Sequence, residues 1–139
     1  AGYLAAGFEK LGMRVVYPGL ASHPGHETLS KQLNAGHGFG GLMTIDFGTL
    51  DKANEAMELM QERNLGYLAV SLGFYKTLFS ASGSSTSSEI PMEEQDQMGL
   101  TDGLVRFSIG LDADIERTFQ GMKACFEEIG MLEKLATFE

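Results

Sequence analysis

A chain of 139 residues, 43% hydrophobic and 21% charged, carries enough apolar matter for one packed domain and is not globally disordered. Its 10 Lys+Arg against 19 Asp+Glu leave a net charge of −9 with no basic stripe, which argues against a nucleic-acid partner. No apolar run reaches the length of a membrane span, and the single cysteine, Cys125, cannot form an internal disulfide; both fit a reducing, cytoplasmic setting.

The opening AGYLAAGFEKLG predicts a helix. Leu4, Phe8 and Leu11 recur at helical spacing, and Gly12 stands where a C′ glycine belongs. The helix has no capping residue before it and the chain has no initiator Met, so a cut from something longer is expected; Met removal would give the same start. MRVVYPG predicts a short strand at about 13–17, stopped by Pro18-Gly19. Ser22 is placed to cap a helix with Pro24 in its first turn, running to about Asn34. AGHGFGG, residues 35–41, is a loop. LMTIDF alternates, with Met43, Ile45 and Phe47 on one face and Leu42, Thr44 and Asp46 on the other, as in a half-buried strand.

Thr49 is an N-cap candidate with Asp51 in the first turn, and the stripe Leu50, Ala53, Met57, Met60 faces a core. GYLAVSLG predicts another strand, with Leu68, Val70 and Leu72 inward and Ala69 and Ser71 outward. LFSASGSSTSSEIP reads as a serine-rich loop and PMEEQDQMG as one or two helical turns. GLVRFSIGL, residues 103–111, is a strand with Val105, Phe107 and Ile109 on its core side and Leu104, Arg106 and Ser108 opposite. Asp112 is placed to cap a last helix with the stripe Ile115, Phe119, Met122, Phe126, Ile129. The order predicts an α/β (α+β-like) domain over 1–139. Its sheet is small, mostly antiparallel and of about four strands, with helices on one face.

Arg106 raises the functional question. A guanidinium does not lose its charge, and burying one unpaired is expensive. Its strand pattern puts it on one face with Ser71, Thr44, Ala69 and Ser108, a small polar face where Gly73 and Gly103 let another backbone or a ligand approach. Two readings follow from pattern alone: a structural ion pair with Asp46 or Asp102 (or plain exposure), and a bidentate clamp for a carboxylate or phosphate.

Several segments then fall in a family order: VVYPGLASHPGHE at 15–27, GFGGL at 38–42, VSLG at 70–73 and GLVRFSIGL at 103–111. The chain resembles the C-terminal domain of the Cys/Met-metabolism pyridoxal-phosphate (PLP) enzymes. These include methionine γ-lyases, cystathionine γ- and β-lyases and cystathionine γ-synthases. SLGFYKTLFSASGSSTSSEIP is most similar to methionine γ-lyases of the plant and protist type.

The resemblance implies the aspartate-aminotransferase-like PLP fold, a larger N-terminal PLP domain as partner and a homotetrameric parent. It implies that Arg106 binds the substrate α-carboxylate, with Ser71 assisting and Thr86 at the motif threonine of the substrate-side loop. That loop lacks both histidines of many relatives, which bears on substrate choice. The Schiff-base lysine motif is absent, so PLP belongs to the full-length enzyme and no catalytic or cofactor-binding residue is assigned in this chain. The implied reaction of the parent is γ-elimination of L-methionine to a thiol, 2-oxobutanoate and ammonia, with this chain alone inactive. The alternatives are a cystathionine-cleaving or γ-replacing relative, and a free-standing carboxylate-binding module without catalysis.

No metal site is expected. His23 and His26 have helical spacing, but Pro24 distorts that turn and no cysteine is near. Cys125 reads as a packed, inert thiol, and Met57, Met60 and Met122 as core.

Overall fold

The computed structural model describes residues 1–82, 91–97, 99 and 101–133. Helix α1 (Gly2–Lys10) leads into β1 (Arg14–Val16), then α2 (His26–Gln32), β2 (Leu42–Asp46) and α3 (Leu50–Glu62). Next come β3 (Tyr67–Leu68), β4 (Leu78–Ala81), α4 (Met92–Gln97), β5 (Leu104–Ser108) and α5 (Ile115–Glu128). The strands form one sheet in the order β1-β2-β5-β4-β3, antiparallel except for the β3–β4 pair.

The sheet has five strands where the sequence pattern predicts about four. The addition is β4, which lies in the segment expected to be a serine-rich loop. Its four residues are all buried, with Phe79 and Ala81 on the core side and Leu78 and Ser80 on the other. The expected strand over GYLAVSLG shrinks to Tyr67–Leu68 at the sheet edge, and Val70 and Leu72 are 63% and 56% exposed rather than inward. The reason is topological. β4 takes the place beside β5, so β3 has a neighbour on one side only and its ladder ends after Leu68.

Helices α1, α3 and α5 cover one face. Leu4 and Phe8 from α1, Ala53, Ala56, Met57 and Met60 from α3, and Met122, Cys125 and Phe126 from α5 meet Met43, Ile45, Phe79, Val105 and Phe107 of the sheet. Phe126 is the hinge of this core, with its ring 5.0 Å from Phe8 and 5.1 Å from Phe47. Each fully buried aromatic of this kind removes on the order of 2–3 kcal/mol of apolar hydration.

The helix ends follow local chemistry. Thr49 accepts from the Lys52 amide, as its sequence position predicts. The last helix is capped by Asp114 and not by Asp112; Asp112 instead accepts from the Asp114 amide and so forms the turn before the cap. Ser22 does not cap α2 either. Gly25 takes that position, Pro24 lies outside the helix, and the Ser22 hydroxyl donates to Glu9. Helices α1, α3 and α5 close alike: Gly12, Asn64 and Gly130 take positive φ, and the amides of Met13, Leu65 and Met131 reach back to Phe8, Met60 and Phe126.

The two glycines around β5 permit close backbone crossings. A Cβ on Gly103 would lie 2.4 Å from the Gly48 nitrogen, and one on Gly110 would lie 2.4 Å from the Tyr75 carbonyl oxygen. The second crossing is pinned by Leu111 N–H to Tyr75 O at 2.8 Å and by Gly110 N–H to Thr77 Oγ1 at 3.0 Å. Gly110→Ala is therefore expected to destabilise the fold by about 3 kcal/mol, because backbone and not a flexible side chain must move. Gly38→Ala, at a site with open space, should change stability by less than about 0.5 kcal/mol. Urea denaturation midpoints of the two variants check the contrast.

Candidate functional site

Arg106 lies in the middle of β5, the strand with neighbours on both sides. It stands opposite Thr44 on β2 and Ser80 on β4. Val105 and Phe107 are fully buried on the helix side, so Arg106 projects from the opposite face with Thr44 and Ser80. It is half-buried, and its Nη2 donates to the Ser71 carbonyl oxygen at 3.1 Å.

The structural ion pair open to Arg106 on pattern alone is not made. Asp46 sits on the same face, opposite Leu104, but its oxygens serve Arg14 Nη1 at 2.9 Å, the Gly48 amide at 2.8 Å and Thr101 Oγ1 at 2.8 Å. Among the described residues Arg106 has no carboxylate partner. The guanidinium thus keeps most of its donors for something else.

Ser71 reaches Arg106 from a strap, residues 69–73, that leaves β3 and crosses over β5. Ser108 holds the far end of the strap, its Oγ accepting from the Gly73 amide at 3.0 Å. Gly73 adopts φ +75, a turn that suits glycine. Beside the strap is a cavity of about 430 Å³ lined by Tyr67, Ala69, Ser71, Phe74, Tyr75, Lys76 and Leu78. The structure therefore brings Arg106 and Ser71 together, with Thr44 and Ser108 around them. Gly103 spends its open space on a crossing of the chain's own backbone. Thr86 lies outside the described residues. Sequence reasoning missed Ser80, whose signal was the alternation of Leu78, Phe79, Ser80 and Ala81, hidden because the serines that follow give the whole stretch the composition of a loop.

His23 and His26 make local contacts at the entrance to α2. His23 Nδ1 accepts from the Gly25 amide at 2.9 Å, while His26 donates to the Pro18 carbonyl and stacks on Phe39 at 5.0 Å. Among the described residues no three His, Cys, Asp or Glu side chains gather as a metal site, and no helix is long and apolar enough to cross a membrane.

A sequence profile of the Cys/Met metabolism PLP-dependent enzymes matches residues 2–127. The chain belongs to this family. It is 44% identical over 117 residues to a methionine gamma-lyase of Arabidopsis thaliana, covering 84% of this chain and 26% of that protein. It is 36% identical to a cystathionine beta-lyase of Lactococcus lactis, covering 83% and 28%. Among solved structures, one described as an O-acetylhomoserine (thiol)-lyase of Campylobacter jejuni, carrying a pyridoxyl-lysine phosphate, superposes with a TM-score of 0.73 at 26% identity. That match covers 91% of this chain and 30% of the other. The fold is thus the α/β fold of PLP-dependent family members, and the chain spans about a quarter to a third of the length of its relatives.

Among the described residues, the strand positions that share the Arg106 face on β2, β4 and β5 include no lysine to hold PLP. Lys76, the lysine lining the cavity beside Ser71, donates to the Tyr67 hydroxyl at 3.0 Å and lies over the Tyr75 ring. The bond to Tyr67 raises its pKa, the wrong direction for an amine that must be neutral to form an imine. Lys31, Lys52 and Lys123 are tied to glutamates on their own helices.

Cys125 is fully buried on α5, with Arg63 Nη1 3.8 Å from its sulfur. Burial pushes the thiol pKa up, outweighing the pull of Arg63. The folded state therefore holds the thiol proton more tightly than the unfolded state. That contribution is complete below the unfolded value of about 8.5 and is lost as pH rises toward the higher folded value. As pH rises above about 8.5, stability should fall more steeply in the native sequence than in Cys125→Ala. Denaturation midpoints across that range, with thiol-reagent rates showing an inert native sulfur, check it.

Proposed function

We propose that this chain is the substrate-side, C-terminal domain of a PLP-dependent carbon–sulfur lyase, and that Arg106 and Ser71 hold the α-carboxylate of a sulfur amino acid. The observation that carries this reading is an arginine fixed at the centre of the sheet, half-buried, with no carboxylate partner among the described residues and with Asp46, on its own face, committed elsewhere. A planar fork in that state matches a carboxylate bidentately. In the free protein the Ser71 carbonyl takes one guanidinium donor; an incoming carboxylate replaces it. The strap supplies the serine, and the adjoining cavity, walled by Tyr67, Phe74 and Tyr75, offers an apolar border.

The identity with a methionine gamma-lyase supports L-methionine as the substrate, cleaved to a thiol, 2-oxobutanoate and ammonia. The parent enzyme is a larger polypeptide, a homotetramer acting in the cytoplasm, whose N-terminal domain holds PLP. The cofactor supplies the electron sink when bound there. This chain binds and orients: fixing the carboxylate sets the direction of the labile bonds at the α-carbon and contributes binding energy to the reaction. Alone, it is inactive.

In the full-length parent, Arg106→Ala should lower kcat/KM for L-methionine by about 100-fold or more, the effect of removing charged hydrogen bonds worth about 3–5 kcal/mol together. The loss should vanish for 3-(methylthio)propylamine, which has no carboxylate. A variant that still prefers the amino acid as strongly as the parent would refute the clamp. The division of labour has its own test. Incubation of residues 1–139 with PLP, borohydride reduction and peptide mapping should give no stoichiometric adduct; a single modified lysine would place cofactor binding in this chain.

A further inference from the structure

We infer that Ser80 is a third contact in the carboxylate site, a hydroxyl donor that engages the same anion as Arg106. This rests on the reading of Arg106 as a carboxylate clamp. Ser80 stands directly opposite Arg106 across the β4–β5 ladder, so their side chains leave the same face as close neighbours. Ser80 is 4% exposed. Its Oγ is fully buried and has no hydrogen-bond partner, the one such side-chain atom among the described residues.

Three other hydroxyls of the sheet and its loops are used. Ser108 accepts from Gly73, Thr77 accepts from Gly110, and Thr101 donates to Asp46. A buried hydroxyl left idle is uncommon, and when it occurs the absent partner is a water or a ligand. The surroundings say which kind of partner fits. Arg106 presents only donors, so it cannot receive the Ser80 proton. A group that satisfies both must be an acceptor, and one with two oxygens and a negative charge satisfies them together.

Access follows from the strap. Residues 71–73 are exposed, and the strap is held over this face by Arg106 to Ser71 O and by Gly73 N–H to Ser108. A carboxylate that takes the guanidinium from the Ser71 carbonyl releases the first of these bonds, on the face that Arg106 shares with Ser80. The same displacement that seats the anion on Arg106 therefore opens the idle hydroxyl to it.

The test uses the PLP-loaded full-length enzyme and two inert probes, L-norleucine and n-pentylamine, which differ in the carboxylate and lack the sulfur leaving group. Isothermal titration measures both on the parent, Ser80→Ala, Ser80→Cys and Arg106→Ala. Ser80→Ala and Ser80→Cys should each weaken L-norleucine by about tenfold, the value of one hydrogen bond to a charged group, and leave n-pentylamine unchanged. Ser80→Cys keeps the size of the side chain and supplies only a weak donor, so it stands if the alanine variant folds poorly. Unchanged norleucine affinity in both variants, or equal losses for the two probes, would overturn the assignment of Ser80. If Arg106→Ala also fails to separate the probes, the clamp itself is wrong; if it separates them and the Ser80 variants do not, only the third contact falls.

Discussion

The crossing of the Gly110 backbone over Tyr75 and Lys76 is the constraint on which the site depends. At that point two chain segments come closer than any Cβ allows. The contact fixes where residues 71–76 run after leaving the sheet edge, and so puts the Ser71 carbonyl within reach of Arg106. Gly103 does the same at the other end of β5, against the turn that enters α3. Between these two crossings β5 has a ladder partner on each side and a buried core face, which leaves Arg106 little freedom at its backbone. A long cationic side chain loses much rotamer entropy when ordered, and a rigid base reduces what remains to be lost on binding.

The same strand explains why much of the site was legible in the sequence. Period-2 alternation in LVRFSIG puts Arg106 opposite the core, and the structure agrees because both faces of β5 differ sharply in chemistry. Gly12, Thr49 and the stripe of α5 were legible for the same reason: each is a local rule that tertiary packing does not oppose. The edge of the sheet was not legible. Leu68, Val70 and Leu72 have the pattern of a buried strand face, yet β3 ends at Leu68 because β4 occupies the inner position. The serine content of residues 80–88 hid β4. Which strand neighbours β5 is a matter of topology, and alternation carries no information about it.

Charge placement separates a clamp from a structural arginine. The chain has nearly twice as many acids as bases, so a neutralising partner for Arg106 was cheap to supply. The nearest acid on its face, Asp46, is instead held by Arg14 across the β1–β2 pair, by the Gly48 amide and by Thr101. Those three bonds commit the carboxylate to β1, to the Gly48 turn and to the segment that precedes β5. They also serve the fold, since the Gly48 turn lies against Gly103. One arrangement thus closes the turn and keeps the guanidinium unpaired.

The acidic surface then sets the range over which the site acts. A net charge of −9 opposes the approach of anions at a distance, but salt screens that field beyond about 8–10 Å. Within that range the groups paired across from Arg106 are the hydroxyls of Thr44 and Ser80. Long-range steering is therefore not what favours a carboxylate here. In the proposed clamp, selection rests on geometry at contact, where a planar fork and hydroxyls offered by a rigid strand match two oxygens in one plane and gain little from a halide or a lone carbonyl. Under that proposal an amino acid meets the requirement through its carboxylate whatever its side chain, and side-chain choice falls to other walls of the site than Arg106.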